Sequence, residues 1–181
     1  MAMELQFDNE GSEAAVFHVY DILRLDQIPR RYTVEAGKTL QDTWPVERVD
    51  AQNANTNQYD LWVLGPNGFH RSFIGVVRVG ETSDADVSAR YLPAQKALQL
   101  RFHNRRAEPV TFSIAANAYL NRGPWQQVVD PGETQSLQWT LSASDNWYDF
   151  TVRSNSDDRF QRRLAGRMED GNPSTSDPAA A

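Results

Sequence analysis

Short runs in which apolar and polar residues alternate recur along this chain, and helical spacing is nearly absent. Val16-Phe-His-Val-Tyr20, the run 59–64 and Val110-Thr-Phe-Ser-Ile114 place β-branched and aromatic side chains at strand spacing. Glu35-Ala-Gly-Lys38 and Asp130-Pro-Gly-Glu133 stand between such runs as turn signals. In the second of these, Pro131 pre-sets φ and Gly132 suits the left-handed position. One weak helical stretch, 20–27, reads as a loop or a single turn. The pattern predicts an all-β chain of small antiparallel β-sandwiches.

The runs occur twice. Leu5-Gln-Phe-Asp-Asn9 matches Leu100-Arg-Phe-His-Asn104, 95 positions on, and the same offset carries Pro29 onto Pro124. It also carries Thr33-Val-Glu-Ala-Gly-Lys-Thr39 onto Val128-Val-Asp-Pro-Gly-Glu-Thr134. Further on, Tyr59-Asp-Leu61 matches Tyr148-Asp-Phe150, and Phe69-His-Arg-Ser-Phe-Ile-Gly75 matches Phe160-Gln-Arg-Arg-Leu-Ala-Gly166. Ordered matches of this kind mark an internal repeat. The expected organisation is two tandem sandwich modules, 5–78 and 97–169, joined by a linker over 79–96. Residues 1–4 read as the start of a piece cut from within a longer protein. The tail 170–181, rich in Pro, Ser and Ala, is expected to be flexible or an extended strap.

The hairpin around Gly65-Pro-Asn-Gly68 divides its side chains between two faces. With Pro66-Asn67-Gly68 as a three-residue loop, a type I turn closed by Gly68 in the left-handed region, Val63 faces Arg71 and Leu61 faces Phe73. Alternation then puts Tyr59, Leu61, Val63, Phe69, Arg71 and Phe73 on one face, apolar except for the arginine. The second copy repeats that face, with Arg162 in place of Arg71. An arginine kept between large apolar residues could hold an anion. Its presence in both copies favours a structural role, stem on aromatics and guanidinium on a carboxylate or carbonyls. The opposite faces differ between the copies. Trp62, Leu64, His70 and Ile74 make the first one apolar, whereas Thr151, Arg153, Gln161 and Arg163 make the second an ordinary wet surface. The first is the candidate lipid or partner surface, open to packing against the other module, a partner domain or a ligand.

Composition narrows the function. The 181 residues are 40% hydrophobic and 23% charged, enough for a folded core, and include no cysteine. Disulfides, thiol catalysis and cysteine-bound zinc are thereby excluded, without fixing a compartment. The net charge of −6 is uneven: residues 1–90 hold 8 basic and 14 acidic side chains, residues 91–181 hold 10 of each. No basic patch stands out, so nucleic acid is not an expected partner. There is no apolar run long enough to span a membrane, and no signal-peptide pattern at the start.

Catalytic motifs are missing too. His18, His70 and His103 lack metal-ligand spacing. No G-x-S-x-G elbow occurs. Gly37-Lys38-Thr39 resembles the end of a phosphate loop, but Tyr32 stands where that loop needs glycine. Asp84/Asp86 and Asp157-Asp158 read as solvated loop pairs with no fuller calcium pattern. The chain alone is read as non-enzymatic, with no cofactor and no metal.

YDLWVLGPNGFHRSFIG, the repeated Y-D-[LF] and F-x-R-x-[FL]-x-G elements, and the ending AGRMEDGNPSTSDPAAA together resemble one family. It is the C-terminal tandem-domain region of bacterial phosphocholine-preferring phospholipases C, and the resemblance runs from about Leu5 to Asp177. It implies a parent enzyme with an N-terminal phosphoesterase domain of the alkaline-phosphatase type, acting on phosphatidylcholine or sphingomyelin and exported by a twin-arginine signal. It further implies that this chain is an accessory region of a secreted or periplasmic protein. Its partners would be that N-terminal domain and phosphocholine lipids or a membrane surface. No catalytic residue carries over, because the catalytic domain is not in this sequence. A glycan-binding or adhesive sandwich pair, stacking sugars on Trp62 or Trp125, is the alternative expectation.

Overall fold

The computed structural model describes residues 2–46, 56–77, 85–173 and 176–180. They form thirteen strands and short 3-10 turns, with no α-helix among the described residues. The chain divides into two compact units, Met1–Glu81 and Thr82–Ala181.

The first unit holds β1 (Ala2–Asp8), β2 (Ala15–Asp21), β3 (Arg30–Val34), β4 (Thr39–Pro45), β5 (Gln58–Leu64) and β6 (His70–Val76). β1 pairs with β4 in one sheet, and β6-β5-β2-β3 run in order in the other, all antiparallel. Between the sheets lie Leu5 and Phe7 of β1, Trp44 of β4, Phe17 and Val19 of β2, and Leu61 and Val63 of β5. Strand alternation sends every second side chain into this layer, which is why short strands suffice. Stretch 20–27 forms one 3-10 turn at Ile22–Arg24, with Asp21 Oδ1 accepting from the Leu23 amide at 3.2 Å.

The second unit holds β7 (Ala85–Leu92), β8 (Ala97–Asn104), β9 (Val110–Ala118), β10 (Trp125–Val129), β11 (Thr134–Thr140), β12 (Trp147–Ser154) and β13 (Gln161–Arg167). β11-β8-β7 face β10-β9-β12-β13 across a larger core that includes Leu100, Phe102, Phe112, Phe150 and Met168.

The ladders of the first unit recur in the second. Leu5 pairs with Asp42 and Leu100 with Leu137; Ala15 pairs with Val34 and Val110 with Val129. Val19–Val63 recurs as Ile114–Val152, and Val63–Arg71 as Val152–Arg162. The asparagine that closes each L-x-F-x-N run explains its own recurrence. Asn9 Nδ2 donates to the carbonyls of Glu13 (2.8 Å) and Val34 (3.0 Å), and its Oδ1 accepts from the Gly11 amide. Asn104 does the same with Glu108, Val129 and Arg106, each at 2.9 Å. Val34 and Val129 belong to the opposite sheet, so each asparagine pins one sheet to the other at a corner.

The tyrosine of each Y-D-[LF] element sits opposite the glycine of F-x-R-x-[FL]-x-G: Tyr59 pairs with Gly75 and Tyr148 with Gly166. A Cβ on Gly75 would collide with Tyr59 Oη and lie 2.7 Å from its Cζ. The ring covers the glycine, and no side chain fits beneath it. Gly75→Ala is expected to cost about 1–3 kcal/mol by overpacking, read as a lower urea midpoint for the first unit. An unchanged midpoint would show that the ring moves aside freely.

Two expectations need correction. Residues 79–96 are not simply a linker, because β7 occupies Ala85–Leu92 and a 3-10 turn Pro93–Gln95 leads directly into β8. Residues 79–84, with Asp84, lie outside the described residues. The hairpin tip is not a type I turn: Asn67 and Gly68 both have positive φ, 56° and 68°, around a Phe69 N–H to Pro66 C=O bond of 3.0 Å. That is the type I′ signature, whose twist matches the strands it joins. Pro66 is accommodated ahead of the turn, and the expected pairing of Gly65 with Phe69 is kept at 2.9 Å. The tail, expected to be flexible or an extended strap, has its described part against the second unit. Tyr119 donates to Asp177 at 2.5 Å and Asn146 Nδ2 to Asp170 at 3.0 Å. Burial and the Asp177 carboxylate both push the Tyr119 phenol well up.

Candidate docking surface

The face of the first unit turned away from its core is carried by β2, β5 and β6. Trp62 is 41% exposed and Leu64 38%, large values for such side chains. His70, opposite Leu64 in the ladder, sets its ring edge-on to the Trp62 indole at 5.4 Å. The hairpin therefore brings Trp62, Leu64 and His70 together. Ile74 stands further along β6 opposite Asp60 and is half-buried, and Ser72 between it and His70 is buried.

The open part of the face extends the other way, over β2. His18 pairs with Leu64 and Tyr20 with Trp62, while Val16 at the strand's start is 42% exposed. Sequence reasoning missed these three. The signal was the alternation of Val16, His18 and Tyr20, which becomes informative only once β2 is known to neighbour β5. Arg31 on β3 borders the patch, its Nε 3.2 Å from His18 Nε2. Separately, the loop after β2 exposes Leu23, Leu25 and Ile28, the last 91% exposed. Of the exposed large hydrophobic side chains among the described residues, Val128 alone belongs to the second unit.

The equivalent face of the second unit is polar and tightly bonded. Arg163 clasps Asp149 through Nε at 3.0 Å and Nη2 at 2.6 Å, and Asn117 donates to the same carboxylate at 2.7 Å. Thr151 and Asn117 exchange a further bond. Two copies of one strand plan thus present opposite chemistry outward. Trp125, weighed as a sugar-stacking platform, is instead packed edge-on against Trp139 at 5.3 Å.

The two recurrent arginines lie on the core faces. Arg71 is buried with its guanidinium 4.1 Å over the Phe69 ring and Nη1 donating to the His70 carbonyl at 2.9 Å. Arg162 is buried 4.3 Å over Phe160, donates to the Gln161 carbonyl, and meets Asp86 through Nε at 2.9 Å.

A shallow depression near the 22–28 loop is lined by Asp21, Arg24, Ile28, Arg30 and Trp44. Its charges are engaged with one another. Arg24 bonds Asp21 at 2.9 Å, and Arg30 bonds Asp42 at 2.8 Å while stacking 4.2 Å over Trp44. Tyr32 donates a short hydrogen bond to Asp42 and accepts one from Trp44 Nε1 at 3.1 Å. The Tyr32 hydroxyl, with the Thr43 amide and Arg30, holds the Asp42 carboxyl below its ordinary range. A carboxylate lowered on folding stabilises above its unfolded value and loses that contribution as pH falls through the folded one. The first unit should therefore weaken in acid below about pH 4, and less so in Asp42→Asn, as followed by Trp44 fluorescence. Equal acid sensitivity of the two proteins would contradict this. Among the described residues no group of His, Asp or Glu is arranged to hold a metal ion.

Comparison with known proteins accounts for the tandem plan. The profile of the family described as bacterial phospholipase C, C-terminal domain, matches residues 1–76 and again 85–167. A non-hemolytic phospholipase C of Pseudomonas aeruginosa is 38% identical over 98% of this chain, and one of Burkholderia pseudomallei likewise. The hemolytic phospholipase C of Pseudomonas aeruginosa is 36% identical over 97% of the chain. This chain spans about a quarter of the length of each of these relatives, 25% in each case. Among solved structures, red sea bream transglutaminase aligns with 93% of this chain and 29% of its own at 11% identity. Its TM-score of 0.29 is too low to carry a fold assignment. With both units matched by one family profile and 38% identity sustained across the chain, the protein belongs to the bacterial phospholipase C C-terminal domain family.

Proposed function

We propose that this chain is a non-catalytic accessory region of a secreted or periplasmic bacterial phospholipase C. In this reading it docks on the parent's N-terminal phosphoesterase domain and helps that domain meet phosphocholine lipid at a membrane surface. One observation carries the reading: the outward apolar face centred on Trp62 and Leu64, set against its polar counterpart at Thr151 and Arg153. A repeat whose two copies share core positions but differ outward has been specialised on its surface. Apolar side chains left in water gain by being covered, at about 1.5–3 kcal/mol for each one fully buried. An aromatic at the centre of such a patch is a usual anchor. Arg71 and Arg162, in the same reading, are structural and bind no ligand.

The test adds the 181-residue chain to the separately produced phosphoesterase domain and, in parallel, to phosphatidylcholine vesicles. The double variant Trp62→Ser/Leu64→Ser should bind about tenfold to a hundredfold more weakly wherever the native chain binds. Binding to the domain alone would keep docking and remove the lipid contact. Binding to neither, or unaltered binding by the variant, would contradict the reading. The chain alone should release no phosphocholine from a chromogenic substrate.

A further inference from the structure

Among the described residues the two units differ by one strand. β8, the equivalent of β1, is paired on both sides, with β11 and with β7. Among the described residues β1 pairs with β4 alone. β4 and β11 each have one neighbour in their sheets, so the difference is confined to the outer edge of β1.

The polar groups at that edge can be assigned. The Asn9 amide donates to Lys38 on the β4 side at 3.0 Å. In an antiparallel ladder the direction alternates, so the amides of Glu4, Gln6 and Asp8 point away from β4. Their equivalents Gln99, Arg101 and His103 face Arg90, Ser88 and Asp86 of β7. The core repeats the difference. β7 covers its end of the second unit with Ala85, Val87, Ala89 and Tyr91, and Tyr91 bonds Tyr148 at 2.6 Å. Beneath it Leu98, Phe160 and Leu164 are buried. Their counterparts in the first unit, Met3, Phe69 and Phe73, are only half-buried.

We infer that the outer edge of β1 is a docking site for one further antiparallel strand, the counterpart of β7, supplied by polypeptide that enters β1 from its N-terminal side. β7 reaches β8 through the tight turn Pro93–Lys96, and the same connection ahead of Ala2 would place the added strand in register. Relatives about four times as long as this chain, which match it through a C-terminal domain profile, provide such polypeptide. The strand would carry alternate small or aromatic side chains toward Met3, Phe69 and Phe73. Its outward positions would be basic or neutral, because β1 presents Glu4 and Asp8 there. Main-chain bonding of this kind is strand addition to a sheet edge, and an open edge is what natural sheets avoid.

The test joins a copy of residues 85–96, carrying Asp86→Asn so that the position is neutral opposite Asp8 yet keeps an acceptor for Arg71 as Asp86 does for Arg162, directly ahead of Ala2 in place of Met1. Amide exchange is read at Glu4, Gln6 and Asp8 by NMR. In the 181-residue chain these amides should exchange at least about tenfold faster than those of Gln99, Arg101 and His103. In the extended chain they should slow by about tenfold or more, and the first unit should melt higher. A second extended chain with Ser88→Pro in the copied strand should lose both effects. Unchanged exchange in the extended chain would overturn the inference, as would protection already present without the extension. Protection that grows with protein concentration in the 181-residue chain would also overturn it, by assigning the edge to a second copy.

Discussion

Asn104→Ala should destabilise the second unit by about 3 kcal/mol, the larger of two effects expected at the paired corner asparagines. The side chain is buried and makes three hydrogen bonds of 2.9 Å, two as donor to carbonyls and one as acceptor from an amide. Each such bond contributes about 1 kcal/mol net, and stranding a buried partner costs more than the bond itself contributed. The Val129 carbonyl is the partner most deeply placed, so its loss should dominate. Asn9→Ala removes the same three bonds from a site nearer solvent, where water replaces part of what is lost. Its cost should be about half as large. Urea unfolding followed at Trp139 and Trp44 separates the units. Equal costs at the two positions would show that burial does not set the value of the corner.

Arg162→Ala should cost about 2–3 kcal/mol, with most of the loss coming from the arginine's own packing. Its guanidinium is stacked on Phe160 and bonded to Asp86, yet Asp86 is 44% exposed while the arginine side chain is 6% exposed. Removing the arginine forfeits a desolvated cation–π contact and the burial of a long stem, together about 2 kcal/mol or more. The abandoned Asp86 can return to water, so the full penalty of a buried orphan charge does not arise. Asp86→Asn should accordingly cost less than about 1 kcal/mol. Arg162→Lys should restore little, because an ammonium lacks the flat face that stacks on the ring. If Asp86→Asn costs as much as Arg162→Ala, the ion pair and not the stacking holds this corner.

Most of the fold is readable from residue order, because a repeat exposes equivalent positions twice. Tyr59 and Tyr148, or Arg71 and Arg162, occupy one face each by simple alternation, and the observed ladders have that register. β7 is hard to read from residue order because the described residues of the first unit hold no counterpart with which to match it. Its alternation, Ala85-Val87-Ala89-Tyr91, was present but short and preceded by a polar run that looks like a linker. At the hairpin tip Pro66 suggests the first position of a type I turn. The Asn67-Gly68 pair, with both residues tolerant of positive φ, outweighed it. The candidate surface was half visible. Trp62, Leu64 and His70 lie on adjacent strands of one hairpin, whereas Val16, His18 and Tyr20 join them through a non-local pairing that no short window reveals.

If the outward face of the first unit is the contact surface, hydrogen exchange locates that contact. The 181-residue chain is mixed with the separately produced phosphoesterase domain, and backbone exchange is mapped with and without it. Protection should concentrate on β2 and β5, at His18, Tyr20, Trp62 and Leu64, with Thr151 and Arg153 in the second unit unaffected. Protection centred on β12 and β13, with β2 and β5 unchanged, would contradict it.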